Sequence, residues 1–380
     1  MNFELFDIPL TPRKNASGQT PFLCRLRVQE NGALFVGAAF SDELLIHVKP
    51  NKKGTGLGDF LHHDIHGAFG DDAVAVCGGL QPSLSGDNAF VVLHEGSAPG
   101  FLKGLLAKKW PKLNAKELPI FLVEQDGGMG FACRHSVGQL VDGEMQVRRY
   151  KESGSLVDAL HMGDFVFGLS SSSFWREPYL ELRVEKRVYV RKDLNPNSQI
   201  HRDAEDNFWF YGDKDRLYRC KLNDIKAKPT YRKIVGPIWS FSAASVEDGW
   251  LYGVTEADHK LFRVRVNPVS FEDELQEMHH FEEGQICGLA PIELKSSSYL
   301  LTAVQTSAGV DFYKSALIKP EDPEFVPEIP KLEKIGQWDK VERVQDLALR
   351  KISESQYQVW GLAFGGDAGE PGKVFSMTMG

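Results

Sequence analysis

Cysteine is scarce in this chain, long apolar runs are missing, and positive charge is in the minority. The five cysteines (Cys24, Cys77, Cys133, Cys220 and Cys287) are odd in number and widely spaced, mostly within apolar segments. That pattern predicts buried free thiols in a reducing compartment rather than a disulfide framework. No window approaches the roughly 18 apolar residues that a membrane span needs. The opening Met1-Asn2-Phe3-Glu4-Leu5-Phe6-Asp7 has neither the basic segment nor the apolar run of a secretory signal. A soluble, cytoplasmic protein with no membrane partner is therefore expected. A formal net charge of -8 and a pI near 5.8 argue against a general nucleic-acid binder, which needs basic surface to release counterions. Gly127-Gly128-Met129-Gly130 lacks the strand-then-helix setting and the trailing Lys-Ser/Thr of a phosphate loop, so it reads as a turn. Nothing in the sequence requires a cofactor.

What the chain does have is a recurring turn followed by a short aromatic strand that closes on glycine. Glu247-Asp248-Gly249-Trp250-Leu251-Tyr252-Gly253 is the clearest copy. Asn31-Gly32-Ala33-Leu34-Phe35-Val36-Gly37, Gly163-Asp164-Phe165-Val166-Phe167-Gly168 and Asp206-Asn207-Phe208-Trp209-Phe210-Tyr211-Gly212 keep all three parts. Weaker relatives begin at Gly86, Ser296 and Glu354. Asn-Gly and Asp-Gly suit a two-residue type I′ turn, where both central residues need positive φ, and an apolar strand behind such a turn predicts a hairpin. After each unit comes a second apolar pair, often with a base: Leu217-Tyr218-Arg219, Leu261-Phe262-Arg263, Phe312-Tyr313-Lys314 and Leu180-Glu181-Leu182-Arg183.

Recurrence at roughly 40 to 60 residues with four short strands per unit predicts an all-β propeller. Such a ring adds sheets around an axis and so escapes the size limit on a single core. A single domain over 1–380 follows, with blades near 20–67, 68–154, 155–196, 197–235, 236–283 and 284–343, and a last unit, 344–380, one strand short. Pairing the N-terminal strand, within 2–12, onto that unit would close the ring. Seven blades result, with six or eight left open because the 68–154 unit is long. Phe101, Leu102, Leu105, Leu106 and Trp110, interleaved with lysines, predict an amphipathic helix inserted near 99–114. The repeat resembles that of seven-bladed propellers in general, over nearly the whole chain. The Gly-His and Trp-Asp marks of WD40 repeats, the paired glycines of kelch repeats and calcium-type Asp loops are all missing.

In such a ring the first strand of each blade faces the axis, and ligands gather at one mouth. His201, Arg202, His161 and Asp203 are the catalytic candidates there: arginines hold an anion while a histidine moves a proton, as in lyase or hydrolase chemistry. Arg25 and Arg350 join them as binding candidates. Against this, axial polar groups often only satisfy one another and trapped water. His62, Asp64 and His66 alternate onto one strand face and form a weak metal candidate. Side chains spaced about 7 Å apart on a flat outer strand suit a solvated rim better, so no metal is assigned. Phe174, Trp175 and Arg176 follow the serine run 170–173 and are read as an exposed loop fit to bind a partner or stack on a sugar. The leading expectation is an intracellular scaffold that docks another protein by its rim and loops. The alternative is an enzyme or lectin acting on a small polar or saccharide ligand at the channel mouth.

Overall fold

The computed structural model describes residues 2–12, 20–52, 56–63, 259–265, 276–295, 297–317, 328–365 and 370–380, and between 73 and 255 the strands alone. Every regular element among them is a strand. The chain divides into two compact units. One comprises Met1–Leu5, Lys186–Asp367 and Val374–Gly380, the other Phe6–Glu185 and Ala368–Lys373.

The first of these units holds four sheets of four strands, each ordered as in the chain or nearly so. His201–Arg202, Asn207–Tyr211, Arg216–Lys221 and Thr230–Lys233 form one; Ile238–Ser242, Trp250–Thr255, Lys260–Arg265 and Gln276–His280 the next. Gln285–Glu293, Ser298–Thr306, Gly309–Ala316 and Leu332–Trp338 follow. The last sheet contains Arg343–Ser353, Gln356–Phe364 and Lys373–Met379, and its fourth strand is Phe3–Phe6, laid beside Lys373–Met379. Burial sorts the strands. Second strands are apolar along their length because sheets cover both faces: Gln356–Phe364 is buried from Gln358 onward. Outermost strands alternate or lie open, as in Gln276–His280 and Phe3–Phe6.

Two apolar layers hold these sheets. Trp250, Tyr252, Val254, Leu261, Phe281, Ile286, Leu300 and Val304 fill one, between the 238–280 and 285–338 sheets. The other, between the 285–338 sheet and the last, buries Ala290, Leu301, Phe312, Trp338, Val359 and Phe375, with Phe3 against it. Phe3 stacks on Trp338 with centroids 4.2 Å apart and lies 5.3 Å from the Phe312 ring. The glycine that closes the repeat makes room for such rings. A Cβ at Gly253 would overlap the ring of Phe262, its cross-strand partner, and one at Gly361 would sit 2.6 Å from Phe375.

In the other unit, Phe22–Val28, Leu34–Ala39, Leu45–Pro50 and Leu57–His63 pair in order, as do Leu80–Pro82, Ala89–Glu95, His135–Val141 and Glu144–Arg149. Ala73–Ala75 bridges the two runs, opposite Ala39 on one side and Glu95 and His94 on the other. Leu156–Met162, Phe165–Ser170 and Ser173–Pro178 pair in that order.

Several expectations need correction. The 68–154 unit does not open on Ala73–Ala75, which is the bridge; Leu80–Pro82 pairs with Ala89–Glu95 as its first strand. Ser173–Pro178 is a strand, not a loop: Phe174 stands opposite Leu169 and Trp175 opposite Gly168, so the aromatic pair continues the ladder. The turn at Asn31-Gly32 is not type I′. Gln29 N–H bonds Ala33 C=O at 2.8 Å and only Gly32 has positive φ, 89°, which is the three-residue hairpin ending on a left-handed glycine. The predicted helix at 99–114 and Leu180–Arg183 lie outside the described residues.

Candidate functional site

First strands carry a feature that the repeat pattern does not announce. Five of them slip against their second strands near their starts, between Leu23 and Arg25, Leu156 and Asp158, Ile238 and Ser240, Ile286 and Gly288, and Gln345 and Ala348, whereas Leu80–Pro82 and His201–Arg202 pair without a shift. Such bulges insert residues that leave the ladder and re-aim the side chains beside them. In the last sheet the bulge includes Asp346 at φ 53°, a left-handed conformation that Asp tolerates better than most residues. Neighbouring first strands touch here: a Cβ at Gly288 would stand 2.8 Å from Leu347 Cδ1.

Two of the candidates flank bulges. Arg25 is half-buried, opposite Gly37 and directly after the Leu23/Arg25 slip. Arg350 stands opposite Gln358, and its Nη1 donates to Gln358 Oε1 at 3.5 Å. Burial pushes the Arg350 guanidinium down from its ordinary range. Arg25 belongs to the Phe6–Glu185 unit and Arg350 to the other. Cys287 sits in the Ile286/Gly288 bulge with Sγ donating to Ala303 C=O at 3.5 Å. The residue keeps some accessible surface, but its thiol is crowded by protein, and this desolvation pushes it up to about 11. It is protonated near neutrality and is no nucleophile.

His161 lies on Leu156–Met162 opposite Val166. His201 and Arg202 form a two-residue strand opposite Trp209 and Phe208. Asp203 falls outside the described residues. Phe174, Trp175 and Arg176 face Leu169, Gly168 and Phe167 across the ladder. The Trp175–Gly168 pairing repeats the Phe262–Gly253 pairing, whereas the closing Gly37 stands opposite Leu45. His62 is opposite Ile46 on Leu57–His63, the outermost strand of its sheet, whereas Asp64 and His66 lie outside the described residues. Among the described residues no three of His, Cys, Asp and Glu gather to hold a metal ion.

Sequence reasoning missed two polar groups placed between sheets. Arg263 is fully buried, its guanidinium 4.2 Å from the Trp250 ring centre, with Nε donating to Gln276 Oε1 at 2.8 Å and Nη2 to Glu328 C=O at 3.2 Å. Asp311, also buried, accepts from Lys334 Nζ at 2.7 Å. The base after the aromatic pair was visible in the sequence. Its direction was not, because strand alternation assigns faces only once the register is known.

No family model matches the chain, and no curated protein matches it in sequence. Solved structures do. A catalytically inactive virginiamycin B lyase from Staphylococcus aureus, with quinupristin, superposes with a TM-score of 0.58 at 12% identity, covering 100% of both chains. A chain of the mitotic checkpoint complex gives a TM-score of 0.58 at 9% identity, covering 97% of this chain and 92% of that one. Both neighbours are β-propeller proteins, and at such identities the likeness concerns the fold alone: this chain is all-β and folds like a propeller.

Proposed function

We propose that the chain is a single domain, one closed propeller of seven blades, and that it works inside the cell as a scaffold docking another protein on its outer rim. The grouping of strands by fours, with Phe3–Phe6 completing the last group, supports the blade count. The observation that carries the docking role is where large apolar side chains meet solvent. Leu5 (43% exposed) and Leu61 (37%) lie on outermost strands and Ile329 (48%) lies three residues before another, while Ile352 (45%) is at the end of the first strand Arg343–Ser353. Outer strands with exposed apolar side chains are surfaces a partner can cover.

The test is a comparative capture from cell extract with wild type, Leu61→Lys, Ile329→Lys and Trp175→Ala, each checked for an unchanged melting temperature. Loss of specific partners in the two rim variants is expected. An unchanged set of partners in both contradicts rim docking, and loss in Trp175→Ala alone moves the surface to the Phe174-Trp175-Arg176 strand.

The recurrent bulge favours a second reading. Bulges concentrate beside active sites because they re-aim side chains. On this reading the first strands hold a small polar or saccharide ligand, with Arg25 and Arg350 as binding groups and His201, Arg202, His161 and Asp203 as candidates for lyase or hydrolase chemistry.

A further inference from the structure

Between the strand Phe3–Phe6 and the sheet that begins at Phe22, the chain is clasped at Thr11. Thr11 N–H donates to Glu43 Oε2 at 2.7 Å and its hydroxyl donates to Glu43 Oε1 at 2.7 Å. Thr11 C=O accepts from Asp42 N–H at 2.9 Å and from Ser41 Oγ at 3.2 Å, and Pro12 bridges Ser41. Ser41 Oγ also reaches Glu43 Oε2 at 2.8 Å. The clasp is thus built on one carboxylate that takes three donors, two of them from Thr11. Burial alone would lift that carboxyl, but the bonds from Thr11 and Ser41 outweigh it, so Glu43 is an anion at neutral pH.

Thr11 is exposed, and its sequence context is Thr11-Pro12-Arg13-Lys14. The proline holds Thr11 extended, which is how a kinase groove takes its acceptor, and two bases follow. We propose that Thr11 is a phosphorylation site for a proline-directed, base-tolerant Ser/Thr protein kinase, and that the phosphate opens the Thr11–Glu43 clasp. In the transfer, Thr11 Oγ1 attacks the γ-phosphorus of a nucleoside triphosphate. The new Oγ1–P bond replaces the bond to the β-phosphate oxygen, the hydroxyl proton passes to the kinase's base, and nucleoside diphosphate leaves. A hydroxyl donor then becomes a group of charge about −1.5 to −2 with acceptor oxygens only. It faces the Glu43 carboxylate that it formerly bonded, with Asp42 next in the chain, so attraction turns into like-charge repulsion.

The experiment treats the folded chain with a proline-directed kinase and Mg-ATP, locates phosphate by mass spectrometry, and follows amide exchange at Thr11 and Asp42. One phosphate on Thr11 is expected, with exchange at both amides about tenfold faster and much of the protection restored in Glu43→Gln. If the folded chain stays unmodified under conditions that modify the isolated 5–20 peptide, or if phosphorylation leaves exchange unchanged, the proposal is overturned.

Discussion

Glu43 shows how one side chain makes a local contact depend on pH. Its folded value is held below the ordinary 4.5 by hydrogen bonds from Thr11 and Ser41 that overcome partial burial. A depressed carboxylate stabilises the fold fully above its unfolded value, and that contribution disappears as pH falls through the folded value. Because much of the group faces solvent, the contribution is about 0.5 kcal/mol after screening. Chemical denaturation should therefore find Glu43→Gln less stable than wild type by about that amount at neutral pH, with the gap closing as pH falls below the ordinary 4.5 and through the lower folded value. A gap that persists unchanged at low pH would assign the loss to something other than the charge. Other residue-level details follow the same logic of fit: Gly253 and Gly361 are glycines because the rings of Phe262 and Phe375 occupy the space a Cβ needs.

Among elements, the 238–280 and 285–338 sheets are joined by an apolar layer and by a cationic clasp at Arg263. Arg263 leaves the 238–280 sheet to bond Glu328 C=O, just before the strand Leu332–Trp338 of the next sheet, and lies over Trp250. Arg263→Met keeps the stem but removes the donors, leaving Gln276 Oε1 and Glu328 C=O short of a partner. Urea denaturation should show a loss of about 2 kcal/mol; a change under about 0.5 kcal/mol would make the clasp incidental. The second strands of these sheets were legible because they are buried on both faces and read as continuous apolar runs behind a turn, as at Trp250–Thr255 and Gln356–Phe364. Third strands were legible at Leu261-Phe262-Arg263 and Phe312-Tyr313-Lys314. At 170–173 four consecutive serines read as a loop although Ser170 ends one strand and Ser173 begins the next. Short inner strands such as Leu80–Pro82 carry too few residues to show a period, and bulges leave no local composition to read. The candidate site was legible only as residue types. Which of Arg25, His161, His201 and Arg350 share surroundings depends on long-range placement, which residue types do not carry; Arg350 reaches Gln358 across its ladder.

Across the whole molecule, the account rests on the first strand serving the last sheet. Phe3–Phe6 lies beside Lys373–Met379, Phe3 fills the aromatic cluster of Trp338, Phe312 and Phe375, and Lys373 Nζ meets Asp7 at 3.0 Å. The ion pair is exposed and adds little, so the aromatic packing carries the latch. Without residues 2–12, Lys373–Met379 would become an open edge strand with its outward amides unpaired. The most direct measurement is hydrogen–deuterium exchange on the full chain and on a chain lacking 2–12. The account predicts that protection across Lys373–Met379 falls at least about tenfold in the shortened chain while Ser298–Thr306 keeps its protection. Unchanged protection across Lys373–Met379 would contradict it.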